Sequence, residues 1–257
     1  MRQIPQNLRD HFERFPKNLV RRSRILTPKP TSMHLEFHQL DRRWEHLRVR
    51  DPQQQKHLLA SLAEHGQQTP VIVVSAKTAP ETYIVIDGFQ RIAALQRLGK
   101  DTVDAVVWTM SESEALLLER SLRASRQETS LEQGWLLAEL EQRFGYSLDQ
   151  LARRFDRSVS WVSRRLALVE LLPESIQRQV RDGHIGAQAA MRFLVPAARV
   201  NVADCERLAA AFVECRCDHR QAAQLYAAWR TGTRATRDRI RVPCGQASFP
   251  DAGRNTR

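Results

Sequence analysis

Lysine is nearly missing: only Lys17, Lys29, Lys56, Lys77 and Lys100 occur, and beyond Asp101 every basic charge apart from histidine is arginine. Arginine is the better fork for phosphate, although a bias in genomic base composition produces the same pattern. Cysteine is absent before Cys205; Cys205, Cys215, Cys217 and Cys244 all fall late in a chain with no secretory signal. That excludes a disulfide-stapled secreted domain and predicts reduced thiols in a cytoplasm. Long apolar runs are missing too. None approaches the roughly 20 residues needed to cross a bilayer, and Met1 to Leu26 is too charged for a signal-peptide core, which disfavours membrane insertion and secretion. No Ser-His-Asp or Cys-His set is present, and Glu112 and Glu114 read as capping charges at a helix start, so no catalytic residues are assigned. The Cys-x-Cys-x-His spacing from Cys215 to His219 is not a usual zinc pattern, and no metal site is assigned.

What the chain does have is positive charge. Its 257 residues carry 40 Lys plus Arg against 29 Asp plus Glu, a net charge of +11, which favours a polyanionic partner. The 42% hydrophobic content suffices for real cores, so disorder throughout is excluded.

The stretch Phe144 to Leu172 reads as a helix-turn-helix. Ser147 caps a first helix whose Leu148, Leu151, Ala152 and Phe155 recur at helical spacing. Asp156 suits the left-handed turn, and Ser158 caps a second helix. Val159, Val162 and Leu166 give the second helix its predicted buried face. Ala152 and Val162 are where the two helices are expected to pack most closely. Ser158, Ser160, Trp161, Ser163, Arg164 and Arg165 are left as candidates to contact phosphates and base edges from a major groove. The bland alternative is a helical hairpin whose arginines merely solvate its outer face.

A compact α/β unit is predicted earlier, from about Met33 to Trp108. Asp51-Pro52 opens a helix with a buried stripe of Leu58, Leu59, Leu62 and Ala63, and Gly66 stops it. Strands Pro70 to Val74 and Tyr83 to Asp87 follow around a loop containing Pro80, then a helix from Phe89 with Ile92, Ala93, Leu95 and Leu98 inward, then a strand Asp104 to Trp108. At the IDGFQR junction, Gly88 exposes backbone N–H groups to an anion and Arg91 can add a charged fork. Equally, Gly88 can simply make the turn while Arg91 pairs with Asp87.

Overall an α+β chain is expected: a basic flexible arm over 1–32, a small N-terminal α/β domain over 33–110, a helix-turn-helix domain over 111–200, C-terminal helices over 201–240 and a disordered tail over 241–257. In the helical part, Ser111 with Glu114 forms a capping box, further helices run over Leu131 to Phe144, from Pro173 and over GAQAAMRFLV, and two more cover Ala203 to Val213 and His219 to Arg230. The arm, with RRSR at Arg21 to Arg24, either tracks phosphates or is a solvated tail.

Three stretches, SLAEHGQQTPVIVV, YIVIDGFQRIAALQRLG and the helix-turn-helix followed by LVELLPESIQRQVRDGHI, resemble the ParB family of partition proteins over about Leu35 to Val195. The resemblance implies an N-terminal domain that binds CTP with Mg2+, a helical domain that binds a centromere-like site, and a homodimer that closes into a clamp. It implies nucleotide contacts in Gly66 to Pro70 and Gly88 to Arg91, with Thr69, Gly88, Gln90 and Arg91 as the candidate residues. Departures are visible. The family's Gly-Glu-Arg-Arg-x-Arg-Ala is here Gly88-Phe89-Gln90-Arg91-Ile92-Ala93-Ala94, and the Asn-containing third motif falls on Glu119 to Arg123, which has no Asn.

The first reading is a site-specific, dimeric DNA-binding protein of plasmid or chromosome partition, with a near-palindromic site, a nucleoid location in the cytoplasm and a partition ATPase as partner. The second is a helix-turn-helix repressor without nucleotide switching. The third is an enzyme of the same fold, nucleotide-dependent or a nuclease, centred on Asp87, Arg91 and Glu119; as a member of the first class the chain would be at most a weak CTPase.

Overall fold

A computed structural model describes residues 31–77, 79, 81–123 and 128–232. Residues 1–30 of the expected arm, Pro80 of the expected loop, and the expected C-terminal segments beyond 232 lie outside the described residues.

The α/β unit is a five-stranded sheet among the described residues: β1 Thr31–Glu36, β2 Leu40–Asp41, β3 Val71–Ser75, β4 Tyr83–Asp87 and β5 Thr102–Trp108, in the order β1-β5-β3-β4-β2. Strand β3 sits in the middle, antiparallel to β4 and parallel to β5. Its Val71, Val73 and Val74 are all buried, as expected for a β-branched run covered on both faces. Two strands are additions to the sequence reading. β1 takes up Thr31 and Ser32, which had been placed in the arm, and pairs antiparallel with β5 at the sheet edge. Leu35 is buried and Met33 packs partly buried against the same core, while Ser32, His34 and Glu36 face solvent; two apolar positions make too short an alternation to announce a strand.

Helix α1, Pro52–His65, starts where Asp51 accepts from the Gln53 and Gln54 backbone N–H groups. Its stripe is thinner than expected: Leu62 is buried, Leu58 and Leu59 are half-buried and Ala63 is exposed, because this helix packs chiefly against one neighbour, α2 (Phe89–Arg97), and not on the sheet. The parallel β3–β5 pair needs a crossover, and the chain makes it through β4 and α2.

From Ser111 onward every element among the described residues is helical. Helices α3 (Glu112–Leu122), α4 (Ser130–Gln142) and α5 (Leu148–Phe155) each start with a capping box, from Ser111, Thr129 and Ser147 respectively. Asp156 adopts the left-handed conformation, φ 51° and ψ 52°, and Ser158 caps α6, Val159–Glu170. Next come α7 (Glu174–Arg181), a short helical turn α8 (Ala187–Ala189), a π-helical turn Ala190–Leu194, and α9 (Val195–Val200). The last two are α10 (Val202–Glu214) and α11 (His219–Thr231).

Two apolar clusters organise these elements. The first joins the sheet to α3, α4, α5 and the Val162 and Leu166 face of α6. The second takes Ala167 and Leu168 from the far end of α6 and packs them with α7 to α11, including Trp229. Cys205 is buried there with its thiol toward the Leu194 carbonyl, and burial pushes that thiol up to about 12. Among the described residues Cys205 and Cys217 are free thiols.

Helix α4 also passes α6 closely, at Gly134. A Cβ on Gly134 would lie 2.7 Å from the Arg165 carbonyl oxygen and 2.7 Å from Val169 Cγ1. Neither neighbour is the loose end of a flexible chain, so the two helices would have to separate. Gly134→Ala should therefore cost about 1–3 kcal/mol, the range for an overpacked contact. Urea unfolding measures this, and an unchanged midpoint would show that α4 and α6 are not locked here.

Candidate nucleic-acid interface and nucleotide pocket

The first turn of α6 is capped and exposed on one side. Ser158 Oγ accepts from the Trp161 backbone N–H at 3.3 Å, which fixes the helix start. Val162 is fully buried, and Leu166 lies beneath the next turn. On the opposite side Ser158, Ser160, Ser163 and Arg164 are exposed. Two of the expected DNA-facing residues behave differently. Trp161 is half-buried, its ring 6.0 Å from that of Phe155. Arg165 is tied inward: Nε donates to Gln133 Oε1 at 2.9 Å, NH1 to Met191 Sδ at 2.7 Å, and the guanidinium stacks 5.0 Å from the Trp161 ring centre. Burial lowers its pKa, with Arg164 and Arg157 adding repulsion. Val159, expected to be buried, is instead 38% exposed. It sits at the first helical residue, where the core beneath α6 has not yet begun. Among the described residues, then, the first two turns of α6 expose Val159, Ser160, Ser163 and Arg164, with Ser158 at their lip, and Glu170 is exposed at the far end of the helix.

A second site lies where the sheet meets α3. A cavity of about 200 Å³ is lined by Thr69, Pro70, Asp87, Arg91, Glu119 and Arg123 over a floor including Ile72, Val106 and Trp108. Of the candidate nucleotide residues, this brings together Thr69 and Arg91; Gly88 and Gln90 are not on its wall. Gly88 adopts φ 100°, and a Cβ there would meet Val71 Cγ1 at 2.5 Å. Close approach to β3 explains the glycine. Arg91 is fully occupied by the protein itself, donating to the Thr69 and Pro70 carbonyls at 2.8 Å each and to Asp87 Oδ2 at 2.6 Å.

The acidic side of the cavity is the more unusual. Glu119 is 1% exposed and is held between Arg48, 2.6 Å away, and Arg123. Burial pushes its carboxyl up to about 7; the two guanidiniums oppose that shift and Asp87 adds to it. Burial likewise lowers the pKa of Arg48. The network continues outward. Glu128 accepts from Arg123 at 3.2 Å and from Arg120 at 2.9 Å, and the Arg120 guanidinium lies 4.1 Å above the Phe155 ring. Glu132, also buried, accepts from the Val49 N–H at 3.0 Å, so the segment carrying Arg48 is pinned to α4. Sequence reasoning named Glu119 but missed Arg48, whose partner lies 71 residues away; no local pattern signals such a pair.

These residues do not fit a nucleoside triphosphate. Such a ligand brings several negative charges, and the wall offers two carboxylates and two guanidiniums that already have carboxylate partners. The space is also below the roughly 300 Å³ at which small-molecule pockets begin. A larger groove of about 960 Å³ lies between the Glu45 to Pro52 segment, Trp135 and α7, and its Arg50, Arg178 and Arg181 pair with Glu45, Glu174 and Asp182. Among the described residues no group of three or more His, Cys, Asp or Glu is gathered as for a metal ion, and no helix is long and apolar enough to cross a membrane.

Comparison with known proteins gives a consistent set. Residues 27–121 match the family model of the ParB N-terminal domain. The chain is 28% identical over 136 residues to the nucleoid occlusion protein of Oceanobacillus iheyensis, covering 52% of this chain and 47% of that one. It is 27% identical over 136 residues to the probable chromosome-partitioning protein ParB of Pseudomonas putida, covering 52% and 46%. The chain thus spans about half the length of the curated relatives it matches. Among solved structures, the C-terminally truncated ParB of Caulobacter crescentus complexed to the centromeric parS site is 21% identical, with a TM-score of 0.43, covering 76% of this chain and 98% of that one.

Because the folded value of Glu119, about 7, lies above its usual 4.5, folding takes up a proton between those values. The stability this group contributes is complete below about pH 4.5 and is lost as pH rises through about 7. Glu119→Gln should remove that slope. Unfolding midpoints for both proteins between pH 4.5 and 8 measure it; parallel curves would place the titration elsewhere.

Proposed function

Since the chain carries a ParB N-terminal domain over residues 27–121, we propose that it is a site-specific double-stranded DNA-binding protein whose α6 enters the major groove. The observation that carries this reading is the capped first turn of α6, which presents hydroxyls and one guanidinium on a face that is exposed among the described residues. Ser160 and Ser163 can hydrogen-bond base edges, and Arg164 can fork onto a guanine or grip a phosphate. Net charge supplies the attraction that brings the duplex in. A role in partition or nucleoid organisation, action as a homodimer on a near-palindrome, and a location on the nucleoid belong to the same proposal, as does a partition ATPase as partner. The names borne by the relatives support the role.

The nucleotide-switched version, with CTP and Mg2+, is the weaker one, because the charges that would meet a triphosphate already meet each other. The alternative without nucleotide switching is favoured by that observation. Calorimetric titration with CTP and Mg2+, with ATP and GTP as controls, is expected to give no saturable binding up to millimolar concentrations. Saturable, CTP-selective binding would restore the switch.

The arginines of α6 test the DNA reading. Arg164→Ala should weaken binding to the preferred site by about 1–3 kcal/mol if it reads a base. Arg165→Ala should act through position: the protein's melting temperature falls, while the salt dependence of binding keeps its slope. Fluorescence anisotropy across a salt series distinguishes them. If Arg164→Ala binds as wild type, α6 is not the reading helix.

A further inference from the structure

The exposed valine at the start of α6 has no structural task. Val162 and Leu166 fill the core beneath the helix, Ser158 supplies the cap, and Val159 stands 38% exposed beside polar neighbours. Single exposed valines are ordinary on a protein surface, and Val200 and Val202 at the α9–α10 junction are examples. The position of Val159 is what separates it from them. With 3.6 residues per turn, Val159, Ser160, Ser163 and Arg164 occupy positions i, i+1, i+4 and i+5, so all four fall within about 140° of arc on one face. Val159 is the one apolar member of that patch.

We propose that Val159 reads the 5-methyl group of a thymine in the major groove, while Ser160, Ser163 and Arg164 provide the polar contacts around it. The proposal rests on the DNA-binding reading of α6 and adds a base to it. The thymine methyl is the one apolar group that base edges present in the major groove. A β-branched side chain in a helix holds essentially one rotamer, so Val159 presents its methyls without losing much freedom on contact. The two hydroxyls bond to either purine or pyrimidine edges and discriminate weakly. An apolar contact on the same face would give this patch a preference for thymine at one position of each half-site.

The test uses the full chain and a duplex selected by it from a random pool. Each thymine of the selected site is replaced in turn by deoxyuridine, which lacks only the methyl, and binding is measured for wild type and Val159→Ala. At one thymine per half-site wild type should lose about fourfold, the equivalent of burying one methyl group. Val159→Ala should bind the thymine and uracil duplexes alike, and its exposed position at the helix start means that its folding should be unaffected, which circular dichroism checks. Equal binding of every uracil duplex by wild type overturns the proposal, as does an undiminished uracil effect in Val159→Ala. In either case the DNA-binding reading survives. A pool from which no sequence is selected overturns both.

Discussion

Everything on the helical side of this protein depends on how closely α4 passes α6. Gly134 lets the α4 backbone approach the Arg165 carbonyl to a distance at which no side chain fits. That contact fixes α6 along its axis. Its first half then closes the core shared with the sheet, and its second half closes the core shared with α7 to α11. A helix held at both ends by separate cores cannot shift its register against either. The exposed face of its first turn is therefore pre-organised, which spares a binding surface part of the ordering cost that a mobile element would incur.

The same rigidity governs the distribution of charge. A net charge of +11 says that an anionic partner is welcome and nothing about where. The structure divides the arginines by what they already touch. Arg48, Arg91, Arg120 and Arg123 are half-buried or deeper against Asp87, Glu119 and Glu128, and Arg165 lies under Trp161. Breaking a buried pair leaves an uncompensated charge, a larger loss than the pair's net worth. These guanidiniums are tied to carboxylates or rings of the fold, whereas Arg164 is exposed.

Much of this was legible in the sequence because it is local. Helix starts follow from Ser111, Ser147 and Ser158, the turn from Asp156, and the sheet's centre from two β-branched runs, since caps, turns and periodicity act within a few residues. At the strand-to-helix junction Arg91 pairs with Asp87, and Gly88 makes way for Val71. What stayed hidden was set at long range. Arg48 meets Glu119 across 71 residues, and Gly134 meets Arg165 across two helices. Strand β1 is stabilised by its partner β5 more than by its own pattern. The burial of Val159 was misjudged for a related reason. Its spacing fits the apolar face of α6, but a helix's first residue lies beyond the edge of the core its later residues fill.

The ionic network also bears on whether the two sites can communicate. From the cavity wall it runs through Glu119, Arg123 and Glu128 to Arg120, whose guanidinium covers Phe155, and Phe155 touches Trp161 at the foot of α6. A continuous path is not by itself coupling; coupling needs an element with two arrangements that both sites bias. Here each step is a buried charge already satisfied in one arrangement, and the segment carrying Arg48 is anchored separately by Glu132. A ligand at the cavity would have to compensate several buried charges at once to move anything beyond it. The network therefore works as a brace that holds the sheet, α3 and the α5–α6 pair in one register.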